Sequence, residues 1–117
     1  MANNRTQAVT TRFSTTEIDT GQKWVDGKTI YRKVINFGAL PNGVSKSMAH
    51  GITNLDFIIF SYLTAKTGAG FRRQFVEGNL SSSGVDMGID NSTVNFYTTW
   101  DFSNYPDSFW VIEYTKT

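Results

Sequence analysis

The sequence contains no cysteine, one histidine and two prolines, and each shortage removes a class of explanation. Without cysteine there is no disulfide framework, no thiolate metal site and no thiol nucleophile. With His50 as the sole histidine, a histidine-rich metal centre is excluded, and any Ser-His-Asp triad has to be built on that ring. No nucleophile motif lies near it, and a turn or strand-end histidine bonded to backbone is the reading that fits Met48-Ala49-His50-Gly51. Long apolar runs are missing too: residues 55–63, the longest, fall well short of the roughly 18 a membrane helix requires and include Asp56 and Ser61. Met1-Ala2-Asn3-Asn4-Arg5 lacks the apolar core of a signal peptide, so classical secretion is not expected. Charge of one sign is also absent. Eleven basic against ten acidic residues leave a net charge of +1, no field to recruit nucleic acid or an anionic membrane.

What is present is apolar and aromatic. The 117 residues fit one domain, and 39% hydrophobic with 15% aromatic content supplies enough apolar surface to offset chain entropy. Many threonines, valines and isoleucines accompany the aromatics, and these residue types suit a pleated, half-buried surface. Residues 1–12 are polar and aperiodic, an arm that is flexible or docks on a partner; residues 13–117 form the domain.

From Phe13 onward, short β-type runs alternate with Gly, Asn, Asp and Pro clusters. Asp26-Gly27 separates residues 22–25 from residues 28–40 and predicts a hairpin with a two-residue type I′ turn. Pro41-Asn42-Gly43 ends the long strand, and residues 45–50 read as a short edge strand. Residues 55–63 carry large side chains on both alternating faces, the most buried strand by pattern, with one face on a core and the other on a second layer or a subunit. Residues 71–76 place Phe71, Arg73 and Phe75 on one side, with Arg73 as that side's polar end, and residues 78–84 read as a polar loop. A weak strand at 85–89, an alternating one in which Val94, Phe96, Thr98 and Trp100 share a face, and a closing strand at 109–115 follow. The fold class is all-β, an antiparallel sandwich of jelly-roll or Greek-key type with about seven or eight strands and no helix of normal length.

Catalysis finds little support. Asp90-Asn91, Asp101-Phe102-Ser103 and Asp107-Ser108 are ordinary turn chemistry, which argues against a glycosidase carboxylate pair. Residues 86–91 lack the ligand spacing of an EF-hand, and Gly68-Ala69-Gly70 is too short for a phosphate loop. No cofactor or metal site is expected, and the chain reads as a non-enzyme. Aromatics suggest binding instead. Trp100 and Trp110 fit core positions, whereas Tyr97 and Tyr105 are the candidates for ligand or receptor contact, because flat amphipathic rings contact sugars or proteins at low entropic cost.

Residues 24–34, WVDGKTIYRKV, resemble the W-I-D-G-K-P-I-Y-R-K-V segment recurrent in bacteriophage virion proteins, notably tail-fibre, baseplate and head-fibre components. Phe13-Ser14-Thr15-Thr16-Glu17, Leu40-Pro41-Asn42 and His50-Gly51-Ile52 extend the resemblance over roughly the first half of the domain. Thr29 stands where proline is common, a change that restores a backbone donor and leaves the hairpin intact. The resemblance implies a virion structural protein, assembled in the host bacterial cytoplasm. It implies a homotrimer that meets other virion proteins through its arm and a host-surface glycan or protein through its domain. Capsid or tail decoration without a receptor role, and a carbohydrate-binding module, are the alternatives.

Overall fold

The computed structural model describes residues 12–76, 78–80 and 84–117; the expected arm, apart from Arg12, lies outside them. Nine strands and no helix occur among the described residues: β1 (Ile18–Lys23), β2 (Thr29–Asn36), β3 (Ser45–Ala49), β4 (Leu55–Lys66), β5 (Arg72–Val76), β6 (Gly78–Leu80), β7 (Val85–Ile89), β8 (Thr93–Thr98) and β9 (Asp107–Lys116). They form two antiparallel sheets, a five-stranded one in the order β1-β2-β9-β4-β5 and a four-stranded one in the order β3-β8-β7-β6. The all-β sandwich is therefore as expected. The extra strand is β6, which pairs with β7 where a loop was expected.

The chain crosses between the layers from β2 to β3, from β3 to β4, from β5 to β6 and from β8 to β9, and β9 ends between β2 and β4. That central place makes β9, not residues 55–63, the most buried strand. Ser108, Trp110, Ile112 and Tyr114 point inward and are buried, and Val111 and Thr115 on the other side are buried as well. The first half of β4 is more open because its pairing with β9 shifts register between Leu55 and Phe60, and β5 joins it only from Tyr62 onward.

Alternation accounts for the core. Ile35, Leu63, Phe75 and Trp110 from the larger sheet meet Val85, Met87, Val94 and Phe96 from the smaller one. Phe96 spans the layers, with its ring centroid 6.4 Å from Phe37 and 5.4 Å from Phe75. Each fully buried ring of this kind contributes about 1.5–3 kcal/mol. The indole N–H of Trp110 donates to Ser61 Oγ at 2.8 Å, so the one polar atom of that side chain is satisfied. Arg73 ends its face as expected, its guanidinium 5.9 Å from the Phe75 ring centroid and 5.7 Å from that of Phe102.

The first hairpin forms with a different turn. The Trp24 N–H donates to the Lys28 carbonyl at 2.8 Å and the Gly27 N–H to the Trp24 carbonyl at 2.9 Å, which closes a loop over residues 25–27. Gly27 has φ +87°, whereas Asp26 is not in the left-handed region. This is the pattern of a three-residue hairpin whose αL glycine forms a bulge, not of a two-residue type I′ turn. Asp26 acts instead through its side chain, where Oδ1 accepts the Lys28 N–H at 2.9 Å.

Candidate binding faces

The outward side of the larger sheet carries rows of side chains brought together by register. Val34, Val111, Tyr62 and Val76 come from β2, β9, β4 and β5 and lie side by side. Arg32, Glu113 and Phe60 form the row on one side; Asn36, Phe109, Thr64 and Gln74 form the row on the other, followed by Asp107, Lys66 and Arg72. Part of this surface meets water, with Phe60 52% exposed, Val76 54% and Phe109 42%, whereas Ile30, Arg32 and Val111 on the same side are buried. Phe57, 59% exposed, extends it, its N–H held by Thr115 Oγ1 at 3.1 Å. The rings of Phe60 and Tyr62 lie 5.5 Å apart. The apolar residues on both faces of β4 thus have separate fates. Leu63 and Ala65 enter the core, and Phe60 and Tyr62 face outward with no second layer over them among the described residues.

The rim of this face is polar. Arg32 pairs with Glu113 at 2.8 Å, donates through Nη1 to the Arg12 carbonyl at 2.8 Å and lies 4.5 Å from the Phe13 ring centroid. The chain therefore enters the fold alongside this face. At the other end, Thr64, Lys66, Arg72, Asp107 and Phe109 line a shallow open depression.

The outward side of the smaller sheet has a different chemistry. Tyr97, 46% exposed, sits between Ser45 and Asp86, and Asn95 sits between Ser47 and Gly88. Asn95 is fixed by a hydrogen bond with Ser47 Oγ and by donation to Thr93 Oγ1 at 3.1 Å. A side chain at Gly88 would meet nothing within 4 Å, so the strand is left bare opposite Asn95, as happens where a ligand approaches a sheet closely. The Asp90 carboxyl at the turn is held down to about 2 by the backbone N–H groups of Ser92 and Thr93 and by the Thr93 hydroxyl. No group of acids and histidines that could hold a metal ion occurs among the described residues.

Tyr97 is thus on the surface, but Tyr105 is not. Tyr105 is 5% exposed, edge-on to Phe102 at 5.8 Å. Its N–H donates to the Phe102 carbonyl and its carbonyl accepts the Leu40 N–H, and this turn folds the ring back into the core. The two tyrosines do not share a site. Trp110 is buried as expected, whereas Trp100 is 49% exposed. The alternation ends at Thr98, whose Oγ1 accepts the Trp100 N–H at 2.9 Å and bends the chain away. His50 ends β3 as a buried structural residue: Nδ1 accepts the Ile52 N–H at 3.0 Å and Nε2 lies 2.9 Å from the Asp90 carbonyl oxygen. Asp56 pairs with Lys28 at 2.7 Å.

The exposed patch of Phe60, Val76 and Phe109 on the larger sheet is the feature that residue-by-residue reading missed. The doubled apolar pattern of residues 55–63 pointed to it, but Val76 and Phe109 come from distant parts of the chain, and Val111 on the same side is buried. Comparison with family models, with curated proteins and with solved structures finds no match.

Proposed function

We propose that this chain is a non-enzymatic virion structural protein, a fibre- or tail-type β domain that assembles on a bacteriophage particle and contributes to host-surface contact. The observation that carries the reading is the outward apolar face around Phe60, Tyr62, Val76 and Phe109. A contiguous exposed surface of this kind, rimmed by polar groups, serves attachment rather than catalysis. The particle setting rests on the resemblance of residues 24–34 to virion proteins. In this reading the hairpin is framework, the arm meets other virion proteins, copies of the chain assemble with one another, and the Tyr97 side faces the host.

Mass spectrometry of purified particles tests the proposal: the chain co-sediments with virions at a fixed copy number. Its presence only in the soluble fraction of the lysate contradicts the assignment. A second reading, a carbohydrate-binding module, is favoured by the exposed Tyr97 on the same side of the sheet as the bare position Gly88. A glycan array separates it from decoration of a capsid or tail, in which no glycan is bound.

A further inference from the structure

We infer that the corner of the five-stranded sheet where β4, β5 and β9 meet is a binding site for an acidic saccharide, with its carboxylate or phosphate held between Lys66 and Arg72. The site is independent of the particle setting proposed above and depends only on this chain's own charge and shape.

The corner is built by register. Asp107, Lys66 and Arg72 lie side by side on β9, β4 and β5, next to the row that holds Phe109 and Thr64. Lys66 and Arg72 are direct cross-strand partners, which sets two cations about 5 Å apart at their Cβ atoms, and like charges so placed destabilise each other. No ion pair among the described residues relieves them. Every other described lysine is bonded to an oxygen: Lys28 and Lys116 pair with carboxylates, and Lys23, Lys33 and Lys46 donate to hydroxyl or carbonyl oxygens. Lys66 has no such partner among the described residues, and Arg72 reaches only the Gly70 carbonyl of its own loop, at 3.2 Å. Even Asp107, opposite Lys66, forms no ion pair with it. Arg73 projects from the other side of β5 and adds a third positive charge to the same hairpin. A local conflict of this kind, in a fold that satisfies its other lysines, marks a place for a ligand.

The same residues select the ligand. Two adjacent cations bind an oxyanion through charge-assisted hydrogen bonds. The Asp107 carboxylate has no donor among the described residues, so the ligand that satisfies it carries hydroxyl groups beside its acid, whereas a bare inorganic anion meets repulsion there. Phe109, 42% exposed, offers its ring to the C–H face of a pyranose. The depression that these residues enclose measures about 220 Å³, smaller than a drug-sized pocket and suited to a single ring. Nucleic acid fits poorly, since it needs a longer basic track than one hairpin provides.

The test is an amide chemical-shift titration of the full chain by NMR at low ionic strength, where charge is least screened. The probes are glucuronate and glucose 6-phosphate, with glucose, acetate and inorganic phosphate as controls. At least one of the two acidic sugars is expected to shift the amides of residues 64–66, 72, 107 and 109 and to bind at least tenfold more tightly than any control. Lys66→Gln with Arg72→Gln, both at exposed positions, is expected to weaken that sugar at least tenfold with the circular dichroism unchanged. Lys23→Gln, in the first hairpin, is expected to leave the affinity as it is. Phe109→Ala is expected to weaken the sugar severalfold and to leave inorganic phosphate unaffected.

No shift at this corner with either acidic sugar, a control bound as tightly as the sugars, or an affinity unchanged in the Lys66 and Arg72 variant overturns the inference. Shifts confined to the Tyr97 side overturn it as well and leave the carbohydrate reading above standing.

Discussion

Replacement of Ser61 by alanine removes one hydroxyl from the molecule, and the structure makes its effect calculable. Ser61 lies on the inward side of β4, opposite Ile112, and is buried. Its Oγ is the acceptor for the Trp110 indole N–H at 2.8 Å, and Trp110 is fully buried with its ring 5.4 Å from that of Phe37. Ser61→Ala leaves that N–H without an acceptor in a dry site, a cost of about 1–3 kcal/mol. For a domain of this size each kcal/mol lowers the melting temperature by roughly 4–8 °C. Trp110→Phe leaves the Ser61 hydroxyl unpaired and also opens a cavity where part of the indole was, so it costs more, about 2–4 kcal/mol. In the double variant neither polar partner remains, and the sum of the single losses exceeds the combined loss by about 1–2 kcal/mol, the coupling of two groups in direct contact. Urea unfolding followed by circular dichroism at one fixed protein concentration measures all three. Additive losses, or a Ser61→Ala change below about 0.5 kcal/mol, refute the account of the pair.

Gly27→Ala is expected to cost about 1 kcal/mol through its left-handed backbone alone, because an added Cβ meets nothing within 4 Å; Gly27→Asn, which tolerates that conformation, costs less in the same unfolding assay. Asp90 has its folded pKa depressed to about 2, so its contribution is complete above the ordinary carboxylate pKa of about 4 and is lost as pH falls towards 2. Melting curves between those values show a shallower acid slope for Asp90→Ala than for the parent, and identical slopes contradict the hydrogen-bonded turn. Burial and the hydrogen bond to Glu17 raise the Tyr114 phenol above its ordinary value, so stability falls as pH rises past about 10, where the unfolded phenol ionises first; alkaline absorbance titration then shows Tyr114 ionising only with unfolding. Tyr97→Ala leaves melting temperature and solution mass unchanged and removes any glycan binding that an array detects.

Much of the fold could be read from alternation. The closing strand, the Val94 to Thr98 face and the turn carboxylates Asp90 and Asp101 followed from residue type and spacing, because each depends on a few neighbours in the chain; Asp107, read as a turn residue, instead opens β9 opposite Lys66. Deviations arose where a local bond or a distant strand decided the outcome. Trp100 continued the pattern of Val94, Phe96 and Thr98 on paper, yet the Thr98 hydroxyl captures its N–H and ends the strand two residues early. Tyr105 looked like an exposed turn ring, but the bond from Leu40 to its carbonyl draws the turn over the core. The apolar surface was half visible in residues 55–63. The rest of it depended on β9 lying between β2 and β4, a pairing between the two ends of the domain that no local pattern reveals.

The most direct test of the attachment reading is the amount of chain carried by purified particles, compared with particles assembled with the variant in which the exposed residues Phe60 and Val76 are lysine. The expected result is a fixed copy number for the parent chain and loss of the variant from the particles, with the variant still folded by circular dichroism. Equal copy numbers for the two proteins contradict it.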